Sequence, residues 1–133
     1  MRLLLDTHVW IWTQEQPGRL GDATTQSLAD PETSLHVSTI STLEISRLVA
    51  MGTIELSGSL DSWVTDTLGS LFCSTIEMSH GIAAGAYSLP PSLHKDPADR
   101  VLIATARLHD LTLLTADERI LSYPHVQTLD ARR

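Results

Sequence analysis

The chain has 133 residues, 42% of them apolar, and sets nine Lys and Arg against sixteen Asp and Glu for a formal charge of -7. This length supports one core and not two, so a single domain over residues 1–133 is expected. No apolar run approaches the ~20 residues of a membrane-spanning helix, and the acidity excludes a broad electrostatic attraction to nucleic acid, though not a nucleic acid held through a bound cation and a few local arginines.

The first five residues form a strand-sized apolar run that reaches Asp6 at once. They do not read as a signal peptide, and a cytoplasmic location with no membrane association is the expectation. Further strand-like runs fall over 35–38, 72–76, 111–114 and 126–129. Between them lie segments of helical period over 8–15, 22–29, 39–51, 60–71, 80–88, 97–109 and 117–122, the third ended by Gly52 and the last stopped before Pro124. Strands alternating with helices predict an α/β fold around a parallel sheet. The longest loop signal is 89–95, Leu-Pro-Pro-Ser-Leu-His-Lys, which delivers the chain to Asp96. In the helix that follows, Val101, Leu102, Ala104, Thr105 and Leu108 form an apolar face, with Asp96 as N-cap and Pro97 at the first helical position. Cys73 stands alone, which rules out an internal disulfide and favours a buried structural thiol over a nucleophile.

Four carboxylates stand where an apolar segment ends or a helix begins: Asp6, Glu44, Asp99 and Asp117. Asp6 and Asp117 follow strand-like runs, and open α/β sheets bind ligands at the carboxyl ends of their strands. Each acid has a structural rival. Asp6 suits a turn or cap, Asp99 complements a helix dipole, and Ser41 with Glu44 has the spacing of a capping box. If Ser38 caps that helix instead, Glu44 lies about a turn and a half inside it, among Ile40, Leu43, Ile45 and Leu48, where an acid is badly placed unless it faces a pocket. Thr115 and Glu118 form a second box spacing, which would leave Asp117 free. Jointly the four acids suit the binding of Mg²⁺ or Mn²⁺ and hydrolysis of a phosphodiester bond.

Other chemistry is less well supported. The six histidines, at 8, 36, 80, 94, 109 and 125, lack zinc-site spacing and read as surface or capping residues. No glycine-rich phosphate loop and no nucleophile elbow is present. Trp10, Trp12 and Trp63 sit among apolar neighbours and are expected in a core or a dimer interface rather than stacked on bases. Arg47, one turn after Glu44, reads equally as an ion-pair partner or a phosphate contact. Thr7 and Thr115 offer hydroxyls beside the acids as further substrate contacts.

The run 3–10, Leu-Leu-Leu-Asp-Thr-His-Val-Trp, the Glu44 helix ending at Gly52, the run 94–104, His-Lys-Asp-Pro-Ala-Asp-Arg-Val-Leu-Ile-Ala, and 113–117, Leu-Leu-Thr-Ala-Asp, together resemble the PIN-domain ribonucleases, specifically VapC-type toxins. The resemblance runs nearly end to end and preserves order. It implies a three-layer α/β/α fold with a central parallel sheet, and a Mg²⁺-dependent endoribonuclease that leaves 5′-phosphate and 3′-hydroxyl ends. It also implies a homodimer and silencing by a cognate antitoxin, for which a basic inhibitory segment suits the acidic site. Asp6, Glu44, Asp99 and Asp117 fall on the family's acidic quartet. Leu43, Arg47 and Ala98 depart from the aromatic, lysine and phenylalanine common at those positions. Two rival functions are a catalytically silent PIN-like module that binds RNA or protein, and a phosphatase with Asp6 as nucleophile. The first would be expected to have lost acids, and the second wants an aspartate where His8 stands.

Overall fold

Five short strands form one sheet: β1 (Arg2–Leu5), β2 (Ser34–Ser38), β3 (Cys73–Ile76), β4 (Thr112–Thr115) and β5 (Thr128–Asp130). The computed structural model describes residues 1–133. All neighbouring pairs are parallel, in the order β3-β2-β1-β4-β5. The helices are α1 (Thr7–Glu15), α2 (Asp22–Ala29), α3 (Thr39–Ala50), α4 (Leu60–Leu71), α5 (His80–Gly85), α6 (Pro97–His109) and α7 (Glu118–Leu121).

β1 is central, and Leu3, Leu4 and Leu5 are all fully buried, which is why it reads as an unbroken apolar run rather than an alternating one. Successive side chains still go to opposite faces. Leu3 and Leu5 join Val9, Trp10, Leu35, Val37, Ile45 and Trp63 in one core, whereas Leu4 joins Leu102, Ile103, Leu113 and Ile120 in the other. These two cores, one on each face of the sheet, make the architecture three-layered and correct the expectation of one core, because a single parallel sheet covered by helices on both sides buries two faces. Trp10 and Trp63 pack at 5.2 Å between ring centroids. Their indole N–H groups donate to Thr67 Oγ1 and Glu15 Oε1, so core packing holds for both. Trp12 differs: it is half-buried, with the Arg19 guanidinium 4.6 Å from its ring.

α3 is capped by the Ser38 hydroxyl, which accepts the Ile40 N–H, so Ser41 and Glu44 do not form a capping box. Its end is closed by Gly52 at φ 72, with the Thr53 N–H returning to Leu48 O; this left-handed position suits glycine. The other boundary differences are small and local. Phe72 is the left-handed cap of α4 (φ 52, 92% exposed) rather than the first residue of β3. β5 starts at Thr128, α5 stops at Gly85, and a 3-10 turn over Pro17–Arg19 had no signal strong enough to read. Leu108 is exposed instead of completing the apolar face of α6, because it lies over a shallow groove beside Gly81 and Gly85, which carry no side chains to cover it. Cys73 is half-buried on the edge strand β3, and burial pushes its thiol up to about 12, out of nucleophilic range.

Leu4→Ala should cost ~2–5 kcal/mol, since it empties a fully buried site in the central strand. Leu43→Ala, at a position 64% exposed, should change stability by less than ~0.5 kcal/mol. Urea unfolding midpoints at unchanged slope provide the measurement.

Candidate active site

In the order β3-β2-β1-β4-β5 the chain crosses from one side of β1 to the other between β3 and β4, so a crevice opens at the carboxyl ends of β1 and β4. A cleft of about 260 Å³ lies there, lined by Asp6, His8, Trp12, Glu44, Asp96, Asp99, Ala116, Asp117 and Arg119. All four acids singled out in the sequence therefore face one space.

Asp6 leaves β1 with its own N–H still bonded to Leu114 O. Its Oδ1 accepts the Thr7 N–H at 2.7 Å and its Oδ2 accepts the Thr115 hydroxyl at 2.6 Å. Burial raises its carboxyl above the ordinary range, and these two hydrogen bonds oppose that shift. Thr115 Oγ1 also accepts the Asp117 N–H at 3.0 Å, so one hydroxyl ties two of the acids together. Across the cleft, Thr7 Oγ1 donates to Glu44 Oε1 at 2.5 Å and lies 2.8 Å from Ser41 Oγ. Burial raises Glu44 as well, with the charges of Asp96 and Asp6 adding to it. Thr7 and Thr115 are thus struts that aim carboxylates; both are buried and neither offers its hydroxyl to a ligand.

Asp96 caps α6 as expected, its Oδ1 accepting the N–H groups of Ala98 and Asp99. That tight turn folds the preceding loop back over the helix start and brings His94 Nε2 to 2.6 Å from Asp99 Oδ2. Asp99 is 7% exposed; burial pushes its carboxyl up to about 6, the His94 contact opposes this, and Asp6, Asp96 and Asp117 add to it. The loop is held from two sides. Arg100 donates to Ala86 O and Leu93 O, both at 3.2 Å, and the buried Tyr123 hydroxyl donates to Pro90 O at 2.6 Å.

Asp117 corrects the sequence expectation. It is itself the cap of α7, accepting the Arg119 N–H at 2.8 Å, while Glu118 turns outward to Arg132. Desolvation pushes its carboxyl up, but Arg119 outweighs that through Nε at 3.3 Å and NH2 at 3.0 Å, and the group ends below its ordinary value. Arg119 NH2 also lies 3.7 Å from Asp99 Oδ2. Arg47, by contrast, is not brought to the cleft: its guanidinium runs along α3 to Met51 Sδ at 3.0 Å and forms no ion pair with Glu44. The arginine in the cleft is Arg119, whose sequence signal was an Asp-x-Arg step that the Thr115–Glu118 spacing obscured. His94 was missed because its five-residue separation from Asp99 matches no ligand spacing along a regular helix.

Between pH 3.8, the ordinary aspartate value, and about 6, folded Asp99 keeps a proton that the unfolded chain has released. Its contribution to stability is therefore fully present below that window and is lost as pH rises through it. Asp99→Asn removes the charge at nearly constant size, so in EDTA it should melt higher than the parent at pH 7, with the difference shrinking toward pH 4. Thermal unfolding of both proteins at pH 4, 5, 6 and 7 checks this, and a difference independent of pH would refute it.

A PIN-domain family model matches residues 3–126. Ribonuclease VapC22 of Mycobacterium tuberculosis is 35% identical over 123 residues, 92% of each chain. Among solved structures, VapBC2 from Rickettsia felis, bound to a DNA fragment from its promoter, aligns with a TM-score of 0.68 at 15% identity, over 97% of this chain and 98% of that one. FitAcB from Neisseria gonorrhoeae aligns at 0.64 and 21% identity over 97% of both chains, and DNA-bound VapBC from Salmonella typhimurium at 0.63 and 16% over 98% of both. At those identities the structural likeness is one of fold. With a family model and a nearly full-length relative both matching, the chain belongs to the PIN-domain family, in its VapC-type branch.

Proposed function

We propose that this protein is a divalent-metal-dependent endoribonuclease and the toxin of a toxin–antitoxin pair. The observation that carries the reading is the convergence of Asp6, Glu44, Asp99 and Asp117 on one cleft at the carboxyl edge of the sheet. Burial raises Asp6, Glu44 and Asp99, so this is a set of carboxylates that a cation would relieve. Oxygen donors of this kind fit Mg²⁺ or Mn²⁺. When bound, such an ion offsets charge on the phosphoryl oxygens and lowers the pKa of water.

Asp6, Asp99 and Asp117 are the groups assigned to hold the ion, with Glu44 completing the set directly or through water. Thr115 and Thr7 keep Asp6 and Glu44 aimed, which limits reorganisation during the reaction. Glu44 Oε2 makes no hydrogen bond within the chain, and Glu44 is the carboxylate assigned to orient the attacking water and take its proton. Arg119 NH1 likewise has no partner within the chain, and it is positioned to meet a phosphate oxygen as the substrate enters. Trp12, at the rim, offers a face for a base. A phosphatase with Asp6 as nucleophile fits poorly, because both Asp6 oxygens already accept hydrogen bonds and the residue is 6% exposed.

Two of the similar solved structures are named as toxin–antitoxin assemblies, a complex from Klebsiella pneumoniae and VapBC-5 from Mycobacterium tuberculosis, and the proposed partner is an antitoxin with a basic inhibitory segment. The internal contact of Arg119 with Asp117 and Asp99 supports this, since it demonstrates that a guanidinium fits among these acids. A homodimer in the cytoplasm completes the proposal.

Purified protein should cleave single-stranded RNA with Mg²⁺ or Mn²⁺ and stop in excess EDTA. Asp6→Asn and Asp99→Asn should each reduce cleavage ~100-fold or more with unchanged circular dichroism. Undiminished turnover in EDTA, or wild-type turnover in both variants, would sink the reading. Co-purification with the protein encoded beside it should give a complex that holds less metal than the free protein. Equal metal content would mean that inhibition works by blocking the RNA path instead.

A further inference from the structure

His94 stands apart from the other histidines. One donor atom from each of His94, Asp99 and Asp117 lies within 4.8 Å of the others, and within that group His94 Nε2 is 2.6 Å from Asp99 Oδ2. The His94 side chain is 16% exposed, and its loop is anchored by Arg100 at Leu93 O and by Tyr123 at Pro90 O. It is therefore a fixed nitrogen donor in a site otherwise built of oxygen.

We propose that His94 is a direct ligand, through Nε2, of the divalent ion held by this cleft beside Asp99 and Asp117, and that the nitrogen donor makes the site prefer Mn²⁺ or another first-row transition ion to Mg²⁺. The inference rests on the metal-dependent reading of the site given above. Two ligands on opposite sides of a small divalent cation, each at ~2.1 Å, are about 4.2 Å apart. The 4.8 Å span of the three donors is within a small side-chain adjustment of that separation. Mg²⁺ takes oxygen ligands and sheds water reluctantly, whereas imidazole suits transition ions, so one nitrogen tilts the choice. Asp96, the cap of α6, lies outside this three-donor group. Two contacts must yield: the His94 Nε2–Asp99 Oδ2 hydrogen bond, now 2.6 Å, opens to the ~3 Å that separates adjacent ligands at ~2.1 Å and frees Nε2 of its proton, and Arg119 withdraws. Arg119 NH2 lies 3.0 Å from Asp117 Oδ2 and 3.7 Å from Asp99 Oδ2, where an ion sharing those oxygens would compete with it.

The test is pulsed electron paramagnetic resonance of full-length protein loaded with Mn²⁺, at natural abundance and with ¹⁵N-labelled histidine. The expected result is coupling to one imidazole nitrogen that follows the isotope. It should survive in His8→Gln, which alters the other histidine of the cleft, and vanish in His94→Gln, whose amide can still donate to Asp99. Calorimetric titration of each ion should show the Mn²⁺-over-Mg²⁺ affinity ratio falling ~10-fold or more in His94→Gln. If that variant fails to fold, the labelled wild type and His8→Gln still decide the matter. Mn²⁺ bound by oxygen alone, or coupling lost in His8→Gln, would overturn the role of His94 and leave the metal-dependent nuclease reading standing. No Mn²⁺ binding at all would overturn both.

Discussion

Gathering carboxylates out of water and against one another is the constraint on which this structure turns. Each of Asp6, Glu44 and Asp99 is shifted toward its neutral form mainly by lost hydration, with like charges nearby adding to the cost. The fold meets this with backbone donors. α1, α6 and α7 all begin at the cleft, and their first N–H groups point at Asp6, Asp96 and Asp117. The positive end of a helix favours a nearby anion by ~0.3–1 kcal/mol, so three such ends at one crevice offset part of the repulsion without any buried basic residue. A parallel sheet makes this possible, because every strand delivers its carboxyl end, and the helix that follows, to the same edge.

Hydroxyl groups complete the arrangement. A buried lysine in the place of Thr115 or Thr7 would neutralise the acids and occupy the space a cation needs. A threonine fixes direction and adds no charge. Thr115 accepts from the Asp117 backbone while donating to Asp6, so β1 and the turn after β4 are registered at the site as well as through the sheet. Thr7 does the same between α1 and α3. The only full positive charge in the cleft, Arg119, is on an exposed side chain and can leave.

The strand and helix order was legible because each element is short and sharply patterned: a strand-sized run of leucines stops at Asp6, and Asp96-Pro97 carries the cap and first-turn signature of a helix. The carboxylates were legible for the same reason, as acids at the ends of apolar runs. What escaped depended on turns. The left-handed conformation of Phe72 and the 3-10 turn over Pro17–Arg19 each span one to three residues and leave no periodic trace. Capping spacing misled once, since Thr115 with Glu118 matches a box pattern while Asp117 takes the cap; the same spacing at Ser41 and Glu44 gave way to Ser38, the alternative the sequence already offered. In both places the acid or hydroxyl that a local rule would spend on a cap is committed to the site.

The proline-rich loop before α6 is tied at Leu93 by Arg100, from the first turns of α6, and at Pro90 by Tyr123 of the second core. Prolines at 90, 91 and 97 narrow the conformations open to the unfolded segment as well. The entropy of ordering this rim is thus spent while the chain folds, and a molecule arriving at the cleft meets a wall already in place. Its association would be limited by diffusion and by the displacement of one arginine side chain, with no slower rearrangement of backbone to wait for.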